Sequence, residues 1–188
     1  MVYAGYINKN IVAMLQANSC NAIGLCGADG DSVLAHKRQH PVMDYGFVGD
    51  VDLVNTNLIS NFIEHHICPV FAPITHDQQG QLLNTNADTI AQEIAVGMSG
   101  QYEVTLMYLF EKSGVLMDSE DEGTVIPKLD RNLFKQLKSK EKIFAGMLPK
   151  LENAFTALNK GLNQVIVGKA DDILEIMKGK TGTVITNA

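Results

Sequence analysis

The chain carries 188 residues, 46% of them hydrophobic and 19% charged, with 21 acidic against 15 basic side chains for a formal charge of −6. That composition argues against intrinsic disorder, and the acidic balance disfavours a nucleic-acid scaffold, which needs Lys and Arg against phosphate. No apolar run approaches the ~20 residues of a membrane helix, and the opening Met-Val-Tyr-Ala-Gly has neither the basic start nor the apolar core of a secretory leader, so a cytoplasmic location is expected.

Residues 8–17 place Ile11, Val12, Met14 and Leu15 at helical spacing. Ala22-Ile-Gly-Leu-Cys26 is a short apolar run ending in the glycine cluster Gly27-Ala-Asp-Gly30, a strand entering a loop. Residues 32–52 hold short β-rich pieces around Gly46-Phe-Val-Gly49, read as a hairpin. Asn55 or Asn57 can cap a helix whose apolar positions are Leu58, Ile59, Phe62 and Ile63, and the adjacent His65-His66 form its polar end, since rings about 100° apart do not easily chelate one metal. Pro69-Val-Phe-Ala-Pro-Ile74 reads as a central strand. Cys20, Cys26 and Cys68, an odd number without a Cys-x-x-Cys pair, read as reduced thiols in or beside strands.

The same rhythm continues. Asp88 to Met98 is a helix carrying Ile90, Ala91, Ile94 and Ala95, and Val104 to Phe110 is an almost unbroken apolar strand of the kind covered on both faces. Asp118-Ser-Glu-Asp-Glu-Gly123 reads as a solvated acidic turn. Helices at 131–139 and 147–160, a strand at Gln164–Val167, a helix at 171–178 and a β segment Gly182–Ile185 complete the chain. Alternating helices and apolar strands specify an α/β fold, a three-layer α/β/α sandwich on a mainly parallel sheet.

Ligands of such folds sit beyond the carboxyl ends of the strands. Four clusters fall at such places: Gly24 to Asp31, where glycines could expose N–H groups to an anion; Asn84-Thr85-Asn86-Ala87-Asp88, which opens a helix and reads first as its cap; Glu111 to Leu116, after the apolar strand; and Ala145 to Lys150. A lysine in the first turn of a helix faces the positive end of the dipole, an arrangement that becomes favourable when phosphate occupies that end.

The order of these motifs resembles the C-terminal part of the acetylglutamate kinases, in the amino-acid kinase family. The resemblance runs end to end through Gly5-Tyr-Ile-Asn-Lys9, Gly24 to Asp31, Gly46 to Gly49, Pro69 to Ile74, Gly80 to Asp88, Gly114-Val-Leu116, Gly146-Met-Leu-Pro-Lys-Leu-Glu152 and Gly182-Thr-Val-Ile185. It implies transfer of phosphate from ATP to the side-chain carboxylate of N-acetylglutamate, for arginine biosynthesis. It implies Lys150 and Asp88 as catalytic residues, Lys150 against the phosphates and Asp88 holding the lysines. Asn84 and Asn86 are implied at the substrate. Glu111, Lys112, Ser113, Gly114, Val115 and Leu116, with Lys142, Ile143 and Phe144, are implied at the nucleotide, whose Mg²⁺ it carries itself. No protein metal site is expected. Residues 1 to about 100 would be the rest of a substrate and dimer lobe, about 101–188 the nucleotide lobe, and a homodimer would form through the former. The stripe Leu58-Ile59-Phe62-Ile63 is a candidate face for it, with core packing as the ordinary alternative.

Some family features have no counterpart here. A Lys-x-Gly-Gly strand, a His-Gly-Gly-Gly loop and a substrate-binding arginine ordinarily precede the Gly-x-x-Asn-Lys helix start with which this chain opens. Phe110-Glu111 stand where the family has Thr/Ser-Asp, and Ala145-Gly146-Met147 where many members have Gly-Gly-Met. The expectation is an N-terminally truncated kinase domain that turns over poorly alone. An N-succinylglutamate kinase and a non-catalytic nucleotide-binding remnant are the competing readings; relatives acting on carbamate, aspartate or nucleotides fit the motifs less well.

Overall fold

The computed structural model describes residues 2–118, 121–140, 143 and 146–187. The chain divides into two compact units, Met1–Gly97 and Met98–Ala188.

The first unit begins with a π-helical turn, Val2–Ile7, that runs into α1 (Asn8–Ala17). The strands β1 (Ala22–Leu25), β2 (Val33–Lys37) and β3 (Gly49–Val54) follow. After them come α2 (Thr56–Glu64), β4 (Cys68–Phe71), β5 (Ile74–His76), β6 (Leu82–Asn84) and α3 (Ala87–Met98). The asparagine cap is Asn55, whose Oδ1 accepts the Leu58 N–H at 3.1 Å. Ile59 of α2 is 2% exposed, Leu58 and Phe62 are half-buried and Ile63 is 42% exposed, so most of this stripe packs into the unit while its last residue stays at the surface. The stripe of α1 is split: Val12 and Leu15 turn inward, whereas Ile11 and Met14 stay exposed beside Tyr3 and Ile7.

Where the sequence suggests one strand over Pro69–Ile74, the chain makes two in different sheets. β4 pairs in parallel with β1, Ala22 opposite Cys68, as a two-stranded sheet. Beyond Ala72-Pro73, the second of which has no N–H to offer a ladder, β5 joins β2 and β6. The order there is β3-β2-β5-β6, with β2–β3 the expected hairpin. This sheet closes on itself: Val48, just ahead of β3, bridges to Asn84 at the end of β6, and the Asn84 N–H donates to the Phe47 carbonyl at 2.7 Å. The ring encloses Thr75 and Thr85, and a Cβ on Gly49 would meet both hydroxyls within 3 Å, so only glycine fits there.

The second unit holds β7 (Thr105–Phe110), β8 (Lys128–Leu129), α4 (Arg131–Ser139), α5 (Leu148–Asn159), β9 (Gln164–Lys169), α6 (Ile173–Met177) and β10 (Thr183–Ile185). Its sheet runs β7-β9-β10-β8, with β7–β9 and β8–β10 parallel and β9–β10 antiparallel. α4 starts where the Asp130 carboxylate accepts the Leu133 N–H at 2.8 Å, and it buries Phe134 and Leu137. α5 buries Leu151, Ala154, Phe155, Ala157 and Leu158. Val165, Val167, Leu129 and Ile185 are fully buried and form the centre of this core.

β7 is not the doubly covered strand its composition suggests. It lies at one edge of its sheet; Leu106 and Tyr108 are buried, while Thr105 and Met107 line an open cavity of about 620 Å³. β8, two residues long, is too short for any periodicity to show. Among the described residues parallel pairings outnumber antiparallel ones by four to three, an α/β fold with mixed, mainly parallel pairing.

Candidate active site

In the first unit, the segment leaving β6 alternates strictly. Leu83 and Thr85 are buried at 1% and 2% exposure, while Asn84 and Asn86 between and after them are exposed. Strand period alone puts the two amides on one side. Thr85 fixes the segment: its hydroxyl lies 2.8 Å from that of Thr75 and donates to the Gly49 carbonyl at 3.2 Å, and its N–H reaches the Pro73 carbonyl. Asn86 is also the cap of α3, its Oδ1 accepting the N–H groups of Asp88 at 2.8 Å and Thr89 at 3.3 Å. Asp88 follows in the first turn of α3, half-buried, where the helix dipole favours a carboxylate.

The glycine cluster after β1 is a self-contained turn. The Asp29 carboxylate accepts the Cys26 N–H at 2.7 Å, the Gly27 N–H goes to the Ile74 carbonyl, and the Ser32 hydroxyl donates back to the Cys26 carbonyl. The N–H groups of Cys26, Gly27, Asp29 and Asp31 are thus engaged within the protein. Asp31, at φ 53°, receives His76 Nε2 at 2.8 Å and Gln78 Nε2 at 2.6 Å. The start of α1 is anchored at the same strand ends: Asn8, 3% exposed, donates to the Val70 carbonyl and Lys9 Nζ to the Gly24 carbonyl at 2.7 Å. The Asn-Lys pair belongs to a matched motif, yet nothing in its residue types alone foretells this anchoring role.

In the second unit, β7 ends at Phe110 and the turn Glu111–Leu116 divides in two. Glu111 is exposed and Lys112 and Ser113 are half-buried, both directed at Glu122, with the lysine 3.8 Å and the serine 3.4 Å from its carboxylate. Gly114, Val115 and Leu116 are buried. A Cβ on Gly114 would come within 3 Å of the Thr183 hydroxyl, and that hydroxyl accepts the Val115 N–H at 2.8 Å while donating to the Ile126 carbonyl at 2.7 Å. These three residues therefore set the path of the turn, and Glu111 to Ser113 offer the accessible groups. Ile143 is buried; Lys142 and Phe144 lie outside the described residues.

Among the described residues no side chain caps the start of α5, which has Pro149 in its first turn and carries Lys150 there as anticipated. Lys150 Nζ sits 5.8 Å from the centre of the Tyr108 ring, so the lysine and the strand leading into the Glu111 turn are neighbours. The acidic turn is partly outside the described residues, at Ser119 and Glu120; around it Asp121 caps the Gly123 N–H. Among the described residues no three His, Cys, Asp or Glu side chains group as a metal site, and no helix is long and apolar enough to cross a membrane.

The amino acid kinase family model matches residues 1–169. An acetylglutamate kinase of Parabacteroides distasonis is 53% identical over 92% of this chain and 68% of its own length. One of Cytophaga hutchinsonii is 49% identical over 94% of this chain and 67% of its own. Among solved structures, a Streptococcus mutans protein superposes with a TM-score of 0.81 at 27% identity, covering all of this chain and 69% of that one.

Proposed function

The chain belongs to the amino acid kinase family, and from that premise we propose that it carries out ATP-dependent phosphorylation of N-acetylglutamate, with Mg²⁺ brought by the nucleotide. The observation that carries this reading is the 53% identity over 92% of the chain to a relative named acetylglutamate kinase. The readings as an N-succinylglutamate kinase or a non-catalytic remnant have no comparable support. These residues span about two-thirds of the length of such relatives, so the proposal concerns the share of the site they supply.

The chemistry suits what the residues offer. A γ-carboxylate is ionised at neutral pH, so its oxygen attacks the terminal phosphorus without a general base while the bond to the ADP oxygen breaks. The protein's task is then positioning and positive charge. Lys150, in the first turn of α5, would face the transferring phosphoryl group. Asp88 would position cationic groups around it, and the amides of Asn84 and Asn86 would hold the α-carboxylate and acyl amide of the substrate. The accessible Glu111–Ser113 part of the turn, with residues 142–144, would meet the nucleotide, which would bring its own Mg²⁺ to neutralise phosphate charge. On this assignment unit one is the substrate lobe and unit two the nucleotide lobe. The exposed α1 face of Tyr3, Ile7, Ile11 and Met14 is the better candidate for a homodimer contact than the stripe of α2, of which Ile63 alone is exposed. A biosynthetic role of this kind is cytoplasmic.

The test is paired. Calorimetry should detect ATP–Mg²⁺ and N-acetylglutamate binding to this chain, and an ADP-release assay should respond to N-acetylglutamate over N-succinylglutamate, with low turnover. Absence of heat for both ligands at millimolar concentration would sink the proposal.

A further inference from the structure

We infer that Cys20 and Cys68 form a reversible disulfide when the protein meets a small-molecule disulfide such as oxidised glutathione. Neither thiol has a place in the kinase chemistry above. Their proximity comes from the backbone. The parallel register of β1 and β4 sets Ala22 opposite Cys68, and the Cys68 N–H donates to the Asn21 carbonyl at 2.8 Å. Cys20 is the residue just ahead of that carbonyl. The chain leaves α1 through Ser19 at φ 60°, and the Cys20 N–H turns back to the Leu15 carbonyl at 2.9 Å, which keeps residue 20 against the sheet. Burial, and the Cys20 sulfur beside it, push the Cys68 thiol upward from its ordinary range. Both groups stay reachable, Cys20 half-buried and Cys68 exposed. Cys26 follows the opposite end of β1, beyond Leu25, where burial and the Asp29 carboxylate raise its thiol, so it is not a competitor for either sulfur.

The step is an ordinary exchange. One cysteine loses its proton to solvent, and its thiolate attacks a sulfur of the small disulfide and expels one small thiolate. The second cysteine, likewise deprotonated, attacks the protein-side sulfur of that mixed disulfide and expels the other. Two protein thiols are oxidised and one small disulfide is reduced to two thiols. Because the thiolate is the nucleophile and the Cys68 thiol is shifted upward, the reaction is slow at neutral pH and accelerates as pH rises. The bond would tie the corner between α1 and β1 to the start of β4 and restrict the unfolded chain over everything between them.

The experiment incubates the chain with mixtures of reduced and oxidised glutathione at pH 7 and pH 8.5, quenches with an alkylating maleimide, and maps peptides without reduction. The expected result is a single-chain mass lower by two hydrogen atoms before alkylation is counted, a single cross-linked peptide joining Cys20 to Cys68, Cys26 fully alkylated, and faster formation at the higher pH. The oxidised form should melt about 10 °C above the reduced one. Cys26→Ser should retain the bond, and Cys20→Ser and Cys68→Ser should abolish it. A lasting glutathione adduct on Cys68 with Cys20 still open to alkylation, a bond involving Cys26, or an intermolecular Cys68 link would each overturn the inference. Mapping of the unsubstituted chain decides the matter whether or not the variants fold.

Discussion

One hydroxyl holds the turn that follows β7. Thr183 accepts from Val115 and donates to Ile126 in a fully buried setting, so Thr183→Val leaves a backbone donor and an acceptor unpaired. The expected cost is about 1–3 kcal/mol in urea unfolding, with Thr183→Ser recovering most of it. Two substitutions bear on the kinase assignment. Lys150→Met should lower ADP release at least ~100-fold with little change in stability, as expected for loss of one charge facing a transition state. Asn84→Ala should act mainly through a higher KM for the acylated glutamate, read from initial rates, because its side chain is exposed and supports no packing. The residue types that offer charge and amides were visible in the sequence. The threonines that hold them, Thr75, Thr85 and Thr183, were not, because a buried hydroxyl is recognisable only once its partners elsewhere in the chain are known. The alternation through Leu83-Asn84-Thr85-Asn86 was a usable signal for one of them.

At the level of elements, the local chemistry was informative where it was chemical and weaker where it was only apolar. Caps at Asn55 and Asn86 follow from side chains bonding the backbone two or three residues on, and α2, α3, α4 and α5 start within a residue or two of where capping and spacing put them. The Asp130 cap of α4 belongs with these; Asp130→Ala should cost about 1 kcal/mol, measured as a shift in the urea midpoint. Apolar runs misled in two ways. Pro69–Ile74 looked like one strand because hydrophobicity does not report that a proline lets the chain change sheets. Val104–Phe110 looked doubly covered because every side chain is apolar enough for that, although the packing uses only alternate ones. In α1 the helical spacing was legible, but not that Val12 and Leu15 turn inward while Ile11 and Met14 stay exposed.

Acid should be felt most in the first unit. Hydrogen bonding to Arg38 holds the Asp50 carboxyl below the usual carboxylate range, Lys37 does the same for Asp44, and the Gln79 and Gln81 N–H groups for Asp77. In the second unit Lys178 and Lys180 lower Glu175. A carboxyl depressed in the folded state adds stability that is complete above its unfolded value and is lost as pH falls through the folded one. Stability by urea titration should therefore be flat above about pH 5 and decline below about pH 4. The loss is modest, because these groups are exposed enough for solvent to screen them. Asp50→Asn should flatten part of that decline.

The two four-stranded sheets also differ in what they leave open to other molecules. The ring made by β3, β2, β5 and β6 ties its last strand to the approach of its first, so its backbone groups face partners of their own. β7 ends its sheet as Thr-Leu-Met-Tyr-Leu-Phe, six residues without a charge, a proline or a glycine. Such a segment is a template for fibrillar stacking whenever partial unfolding uncovers it. Aggregation on heating should accordingly begin at β7, and a lysine in place of Leu109, which is already 37% exposed, should slow it while leaving the native sheet in place.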